Sequence, residues 1–152
     1  MSKVLEVTDL SITFDTPRGN LRAVNDATIT LEQGESIGVV GESGSGKTVL
    51  SRAIMGLLPG TATRTGSIKY MGKEISELPE KELRDLWGTG MAMIFQDPMT
   101  TLNPVRRIGA QLTESLTVRL KLDKKEAHKQ AIELLRRVRI ADPEGMMRKF
   151  PY

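Results

Sequence analysis

The 152 residues contain no cysteine and a single histidine. Without cysteine there is no disulfide framework, no thiolate metal site and no cysteine nucleophile. One histidine excludes a histidine-rich metal centre. Long apolar runs are missing as well: Met91-Ala92-Met93-Ile94-Phe95 falls far short of the roughly 18 residues that span a bilayer. The opening Met1-Ser2-Lys3-Val4-Leu5-Glu6 meets an acid too soon for a signal peptide, so an intracellular protein is expected. A surplus of one charge is lacking too. Lys and Arg number 22 against 19 Asp and Glu, a net +3, which is too small an excess to argue for nucleic acid as a partner. The nearest basic cluster, Arg136-Arg137-Val138-Arg139, sits in a helix with an apolar opposite face and reads as solvated.

What is present suits a globular α/β chain of one-domain length, with 39% hydrophobic and 27% charged residues. Val4, Leu5 and Val7 suggest an opening strand, and Ala23 to Leu31 alternates with Ala27, Ile29 and Leu31 on one side. Thr16-Pro17-Arg18-Gly19-Asn20 is turn chemistry, so the two runs are expected to pair antiparallel. Ser36-Ile37-Gly38-Val39-Val40 reads as a strand buried on both faces, and Met91 to Phe95 as a second. Gly66 to Met71 is a further short strand. Helices are expected over 47–57, from Pro79 to Trp87, and from Arg106 to about Leu120. Asp123 with Glu126 forms a capping box for another, whose Ala127, Ala131, Leu134, Leu135 and Val138 share a face. Asp142-Pro143 starts one more.

The chemistry concentrates at Gly41-Glu42-Ser43-Gly44-Ser45-Gly46-Lys47-Thr48, which fits G-x-x-x-x-G-K-[ST] at every position. A chance match is expected in on the order of one chain in a hundred of this length, and the strand-then-helix context tightens it further. Gly41, Gly44 and Gly46 let successive amides point inward at phosphate oxygens. The helix beginning near Lys47 adds its positive end. Lys47 supplies a point charge to the β- and γ-phosphates, and the Thr48 hydroxyl a ligand for Mg²⁺. Ser43 and Ser45 read as small loop residues. Glu42 lies beside the phosphates, but side chains at that position point away from them, which argues against a general base. His128 reads as a surface residue. A nucleoside triphosphate, ATP with Mg²⁺, is the expected ligand.

The run Met93-Ile94-Phe95-Gln96-Asp97-Pro98-Met99-Thr100-Thr101-Leu102-Asn103-Pro104 resembles the Q-loop of ATP-binding-cassette (ABC) transporter ATPases. Its Gln-Asp-Pro-Met-x-x-Leu-Asn-Pro form is similar to the dipeptide/oligopeptide importer branch, as are the Gly-Glu-Ser-Gly-Ser-Gly-Lys-Thr loop and the opening 5–14; nickel and other small-ligand importers look alike here. The resemblance implies an α/β P-loop NTPase with a RecA-like core, an N-terminal antiparallel β subdomain and the start of a helical subdomain. It divides the chain into 1–104, through the Q-loop, and 105–152. Phe14 then falls where an aromatic ring stacks on adenine, the commoner residue there being Tyr. Gln96 falls on the glutamine that contacts Mg²⁺ and the attacking water. The implied protein is a peripheral ATPase at the cytoplasmic face of the cell membrane, not inserted in it. Its partners are transmembrane permease subunits and a sister ATPase subunit, identical or related, with the two copies closing head to tail around two ATP molecules.

The family's signature motif, its Walker B aspartate with the following glutamate, and its switch histidine do not occur in the 152 residues. Phe150-Pro151-Tyr152 resembles the approach to the signature. The chain therefore reads as the N-terminal portion of a longer subunit, and the strand at 36–40 is expected to lack its usual neighbours. A truncated, non-hydrolysing module that occupies the permease or sister subunit is the rival reading; a cassette ATPase of DNA repair or translation is a third. Hydrolysis needs a placed water and a carboxylate to orient it. The 152-residue chain is thus expected to bind nucleotide at best weakly and to show no steady-state ATPase activity. Phosphate release that Lys47→Ala abolishes would contradict this.

Overall fold

The computed structural model describes residues 2–96 and 101–152. Asp97 to Thr100, part of the Q-loop-like run, lie outside the described residues. The chain divides into two compact units, 1–84 and 85–152.

The first unit is built on an antiparallel sheet in the order β2-β1-β3-β4, formed by β1 (Lys3–Thr16), β2 (Gly19–Glu32), β3 (Ala62–Tyr70) and β4 (Lys73–Glu74). The expected hairpin forms. Thr16 pairs with Gly19 across a two-residue turn, the Thr16 hydroxyl donates to the Gly19 carbonyl at 2.6 Å, and Gly19 supplies the positive φ of 110°.

Bulges set which side chains of β1 reach the core. Val7 faces Ile29 and Leu10 faces Ala27, so an extra residue lies between them. Asp9 takes φ 49° there, and Gly66 on β3 packs so close that a Cβ would stand 2.5 Å from the Asp9 carbonyl oxygen. The extra residue changes the phase of the strand, and Val7, Leu10 and Ile12 all become buried although their spacing is not uniformly two. Buried Ser11 is satisfied by Asp26: its hydroxyl donates to the carboxylate and accepts from the Asp26 amide, both at 2.9 Å.

Helix α1 (Lys47–Ile54) packs on β1 and β2 and buries Leu50 and Ala53. It stops earlier than the expected residue 57. Gly56, at φ 69°, turns the chain left-handed, and the Leu57 amide bonds back to the Arg52 carbonyl at 2.8 Å, a Schellman closure. Helix α2 (Glu80–Leu86) follows Pro79 as expected and buries Leu83.

Two expected strands are corrected. Residues 36–40 form no element, and Val39 and Val40 are 50% and 92% exposed. Residues 91–95 make only an isolated bridge between Met91 and Trp87, and Ile94 is 98% exposed. The cause is the same in both. A strand is held by its neighbours' ladders, and among the described residues the one sheet is antiparallel and pairs with neither run.

The second unit holds α3 (Ile108–Val118), α4 (Lys124–Arg137) and α5 (Pro143–Met146). Leu116, Ala127, Ala131, Leu135 and Met147 form its core, with Leu112, Leu122, Ile132, Ile140 and Met146 against it. Asp123 caps α4 by accepting from the Lys125 and Glu126 amides at 2.8 and 3.0 Å. Asp142 caps α5 through the Gly145 amide at 2.9 Å. The first amides of α3 find distant carbonyls: Ile108 donates to Lys149 and Gly109 to Met147. The buried line of α4 runs 127–131–135. Leu134 and Val138, expected to share it, are 43% and 68% exposed, because they flank that line and Val138 already lies past the last helical residue.

Glu74 ties β3 to the segment after β4. Its carboxylate accepts from the Ser67 and Ser76 hydroxyls, and from the Ile68 and Ser76 amides at 3.0 and 3.1 Å. Burial alone would raise its pKa, but these four donors outweigh it and hold the group down to about 2 against an ordinary 4.5. A lowered folded pKa stabilises above the unfolded value and is lost as pH falls through the folded one. Glu74→Gln is therefore expected to lower stability at pH 7 by on the order of 1–3 kcal/mol. The gap to wild type should narrow between pH 4.5 and 2, read from urea midpoints at several pH values.

Candidate functional site

The glycine-rich segment closes into a turn in front of α1. The Ser45 amide bonds the Glu42 carbonyl at 3.2 Å, and the helix begins with the Leu50 amide on the Gly46 carbonyl at 2.8 Å. Gly46 is the N-cap residue, with φ 90°, and no side chain caps the amides that follow; the first turn carries no acid. Those amides and the positive end of α1 are therefore left for an external acceptor.

Glycine is required at Gly46 for two reasons. Its φ is one that L side chains rarely adopt, and a Cβ would stand 2.2 Å from the Ala23 carbonyl oxygen on β2. Gly41 is confined in turn by Ser45, whose Oγ would lie 2.6 Å from an added Cβ. Gly44 has φ 82° and open space around it. Lys47 folds back over the turn, and its Nζ donates to the Gly41 carbonyl at 2.8 Å, the Glu42 carbonyl at 2.6 Å and the Ser45 hydroxyl at 3.2 Å. The ammonium is thereby fixed beside the loop backbone instead of wandering in solvent. Thr48 is exposed on the first turn of α1.

A cleft of about 410 Å³ opens here, lined by loop residues together with Arg22, Ala23 and Val24 of β2 and by Val39 and Leu50. Its lining holds two cations, Arg22 and Lys47, and no carboxylate. Such a site is suited to a polyanion and unsuited to a base that must abstract a proton. The β2 residues went unseen in the sequence, because nothing in their spacing announces that this strand meets the loop.

The remaining candidates fall elsewhere. Glu42 is exposed, and it is its carbonyl that meets Lys47. Ser43 is exposed at the turn. Phe14 is half-buried on β1 opposite Leu21 and Ala62, and does not line the cleft. Gln96 lies in the second unit, exposed in a bend. A larger cavity of about 610 Å³ borders α4 near His128. It mixes Asp123, Glu126 and Glu144 with Lys125, Lys129 and Arg136, with no convergence on one chemistry. Among the described residues no cluster of three or more His, Cys, Asp or Glu could hold a metal ion, and no helix is long and apolar enough to cross a membrane.

The chain is 45% identical over 149 residues to the oligopeptide transport ATP-binding protein OppD of Salmonella typhimurium. It is 42% identical over 154 residues to the dipeptide transport ATP-binding protein DppD of Bacillus subtilis. These matches cover 98% and 100% of this chain but 44% and 46% of the two relatives, so it spans less than half of their length. A solved dimeric structure of the ATP-binding cassette MJ0796 bound to ADP and Pi superposes with a TM-score of 0.80 at 20% identity, over 97% of this chain and 61% of that one. That likeness shows the fold: a P-loop cassette with an N-terminal antiparallel β subdomain and a helical subdomain. Residues 24–150 match the model of a family described as ABC transporter, and with a cassette fold beneath that match the chain belongs to the ABC transporter family.

Proposed function

We propose that this chain is the phosphate-binding part of an ABC importer ATPase, which takes ATP with Mg²⁺ and energises uptake of di- and oligopeptides through a membrane permease. The observation that carries the reading is the loop around Gly46. Its uncapped amides, the folded-back Lys47 and a cleft without carboxylates suit the phosphates of a nucleotide. The names of the peptide-transport relatives support the importer class.

The loop's own contribution is binding and orientation. The amides following Gly46 donate to phosphate oxygens, and the dipole of α1 favours their charge. Lys47 exchanges its loop carbonyls for phosphate oxygens with little movement, because its ammonium already sits over the loop backbone. Thr48 offers a hydroxyl to Mg²⁺, and Gln96 a second oxygen ligand together with a contact to the attacking water. When bound, Mg-ATP supplies the phosphoryl group that hydrolysis transfers. Phe14 provides a ring face for adenine, with the support of its place on β1 in the same unit as the loop. Residues 1–104 then form the β subdomain and nucleotide core through the Q-loop, and 105–152 the first part of the helical subdomain. The protein works as a peripheral subunit at the cytoplasmic face of the membrane, with permease subunits and a sister ATPase as partners.

Titration of the 152-residue chain with Mg-ATP, followed by NMR shifts of the glycine amides in 41–46, tests the phosphate reading. Lys47→Ala is expected to weaken binding by about tenfold or more, the equivalent of a charge-assisted contact. Equal shifts in wild type and variant would overturn it. Gly46→Ala is expected to abolish binding and to lower the melting temperature, since its Cβ has no room beside Ala23. The importer assignment predicts that the protein co-purifies from membranes with permease subunits and not with nucleic acid.

A further inference from the structure

We infer that Arg22 is a second cationic contact for the nucleotide's phosphates, brought to the loop by a one-residue bulge in β2; the inference rests on the phosphate reading above. The register carries it. Val24 stands opposite Ile12 and Arg22 opposite Thr13, which leaves Ala23 with no partner on β1. On its other side β1 keeps step with β3, with Ile12 on Arg64 and Thr13 on Thr63. The irregularity therefore belongs to β2 alone.

That bulge lies where the strand meets the loop. The Ala23 carbonyl oxygen is 2.2 Å, and Val24 Cγ2 3.7 Å, from the point where a Gly46 Cβ would be. A bulge bends its strand and re-aims the side chains on either side of the extra residue. Here Arg22, Ala23, Val24 and Asn25, four consecutive residues, all line one cleft, which a regular strand would not allow because neighbours point to opposite faces. The register of β2 slips both between Arg22 and Val24 and between Val24 and Ala27.

The chemistry of Arg22 fits the cleft. Its side chain is exposed, and among the described residues that side chain makes no hydrogen bond or ion pair. Lys47, the other cation of the lining, already gives its donors to Gly41, Glu42 and Ser45. A guanidinium presents a planar fork of donors that matches two oxygens of one phosphate. An anion with charge spread over several phosphates can engage Lys47 and Arg22 together, whereas a single small anion cannot gain as much from both.

The test titrates the 152-residue chain and its Arg22→Ala, Arg22→Gln and Arg22→Lys variants with Mg-ATP and with inorganic tripolyphosphate. The Ala and Gln variants are expected to bind both ligands about five- to tenfold more weakly, and Lys to recover part of the loss, with far-UV spectra and melting temperatures unchanged. The wild-type affinity should also fall more steeply with added salt than that of the Ala variant. Variants that bind both ligands as wild type does would overturn the inference. So would a loss confined to ATP, which would put Arg22 on the base or sugar. If Arg22→Ala does not fold, Arg22→Gln, which keeps most of the apolar stem, decides the same question. Wild type that binds neither ligand would overturn the phosphate reading itself, an outcome separate from equal binding by wild type and variants.

Discussion

The contact between Gly46 and the Ala23 carbonyl fixes most of what matters in the first unit. It anchors the loop to the sheet at the one residue where α1 begins, so the helix axis and the open amides of its first turn take their direction from β2. Any other residue would have to move either the strand or the helix, and both are held by further packing: Leu50 and Ala53 on one side, Ile12 and Val24 on the other. The glycine pattern of the loop is thus a packing demand as much as a conformational one. Gly41 and Gly44 serve the turn itself, and Gly46 serves the joint with the sheet.

The sequence was informative where a feature is local. The loop, the hairpin at Thr16–Gly19, and the caps at Asp123 and Asp142 each depend on residues within a few positions, so spacing alone could locate them. It was uninformative where a feature depends on what lies across the sheet. The apolar runs at 36–40 and 91–95 carry the composition of buried strands, yet burial comes from neighbours, and the sheet among the described residues offers them none. Counting in twos along β1 and β2 misplaces side chains for a related reason. The bulges near Asp9 and at Ala23 shift the phase, and neither aspartate nor alanine signals an extra residue.

The candidate site divides along the same line. Lys47, Gly46 and the turn residues stand together because one short segment folds on itself. Arg22 reaches the cleft only through a strand more than twenty residues earlier in the chain. Residue-type patterns could not have found it, since a lone exposed arginine in an amphipathic strand is ordinary. What distinguishes it is the irregular pairing on one side of β1 and the regular pairing on the other.

The start of α3 has a different kind of dependence. Its first amides are met by the carbonyls of Lys149 and Met147, roughly forty residues later in the chain, a separation whose loop must be closed before the bonds form. During synthesis those amides have only water as acceptor until the segment after α5 has left the ribosome. The opening turn of α3 therefore completes its backbone hydrogen bonding only once the segment after α5 is in place, although it is made before α4 and α5.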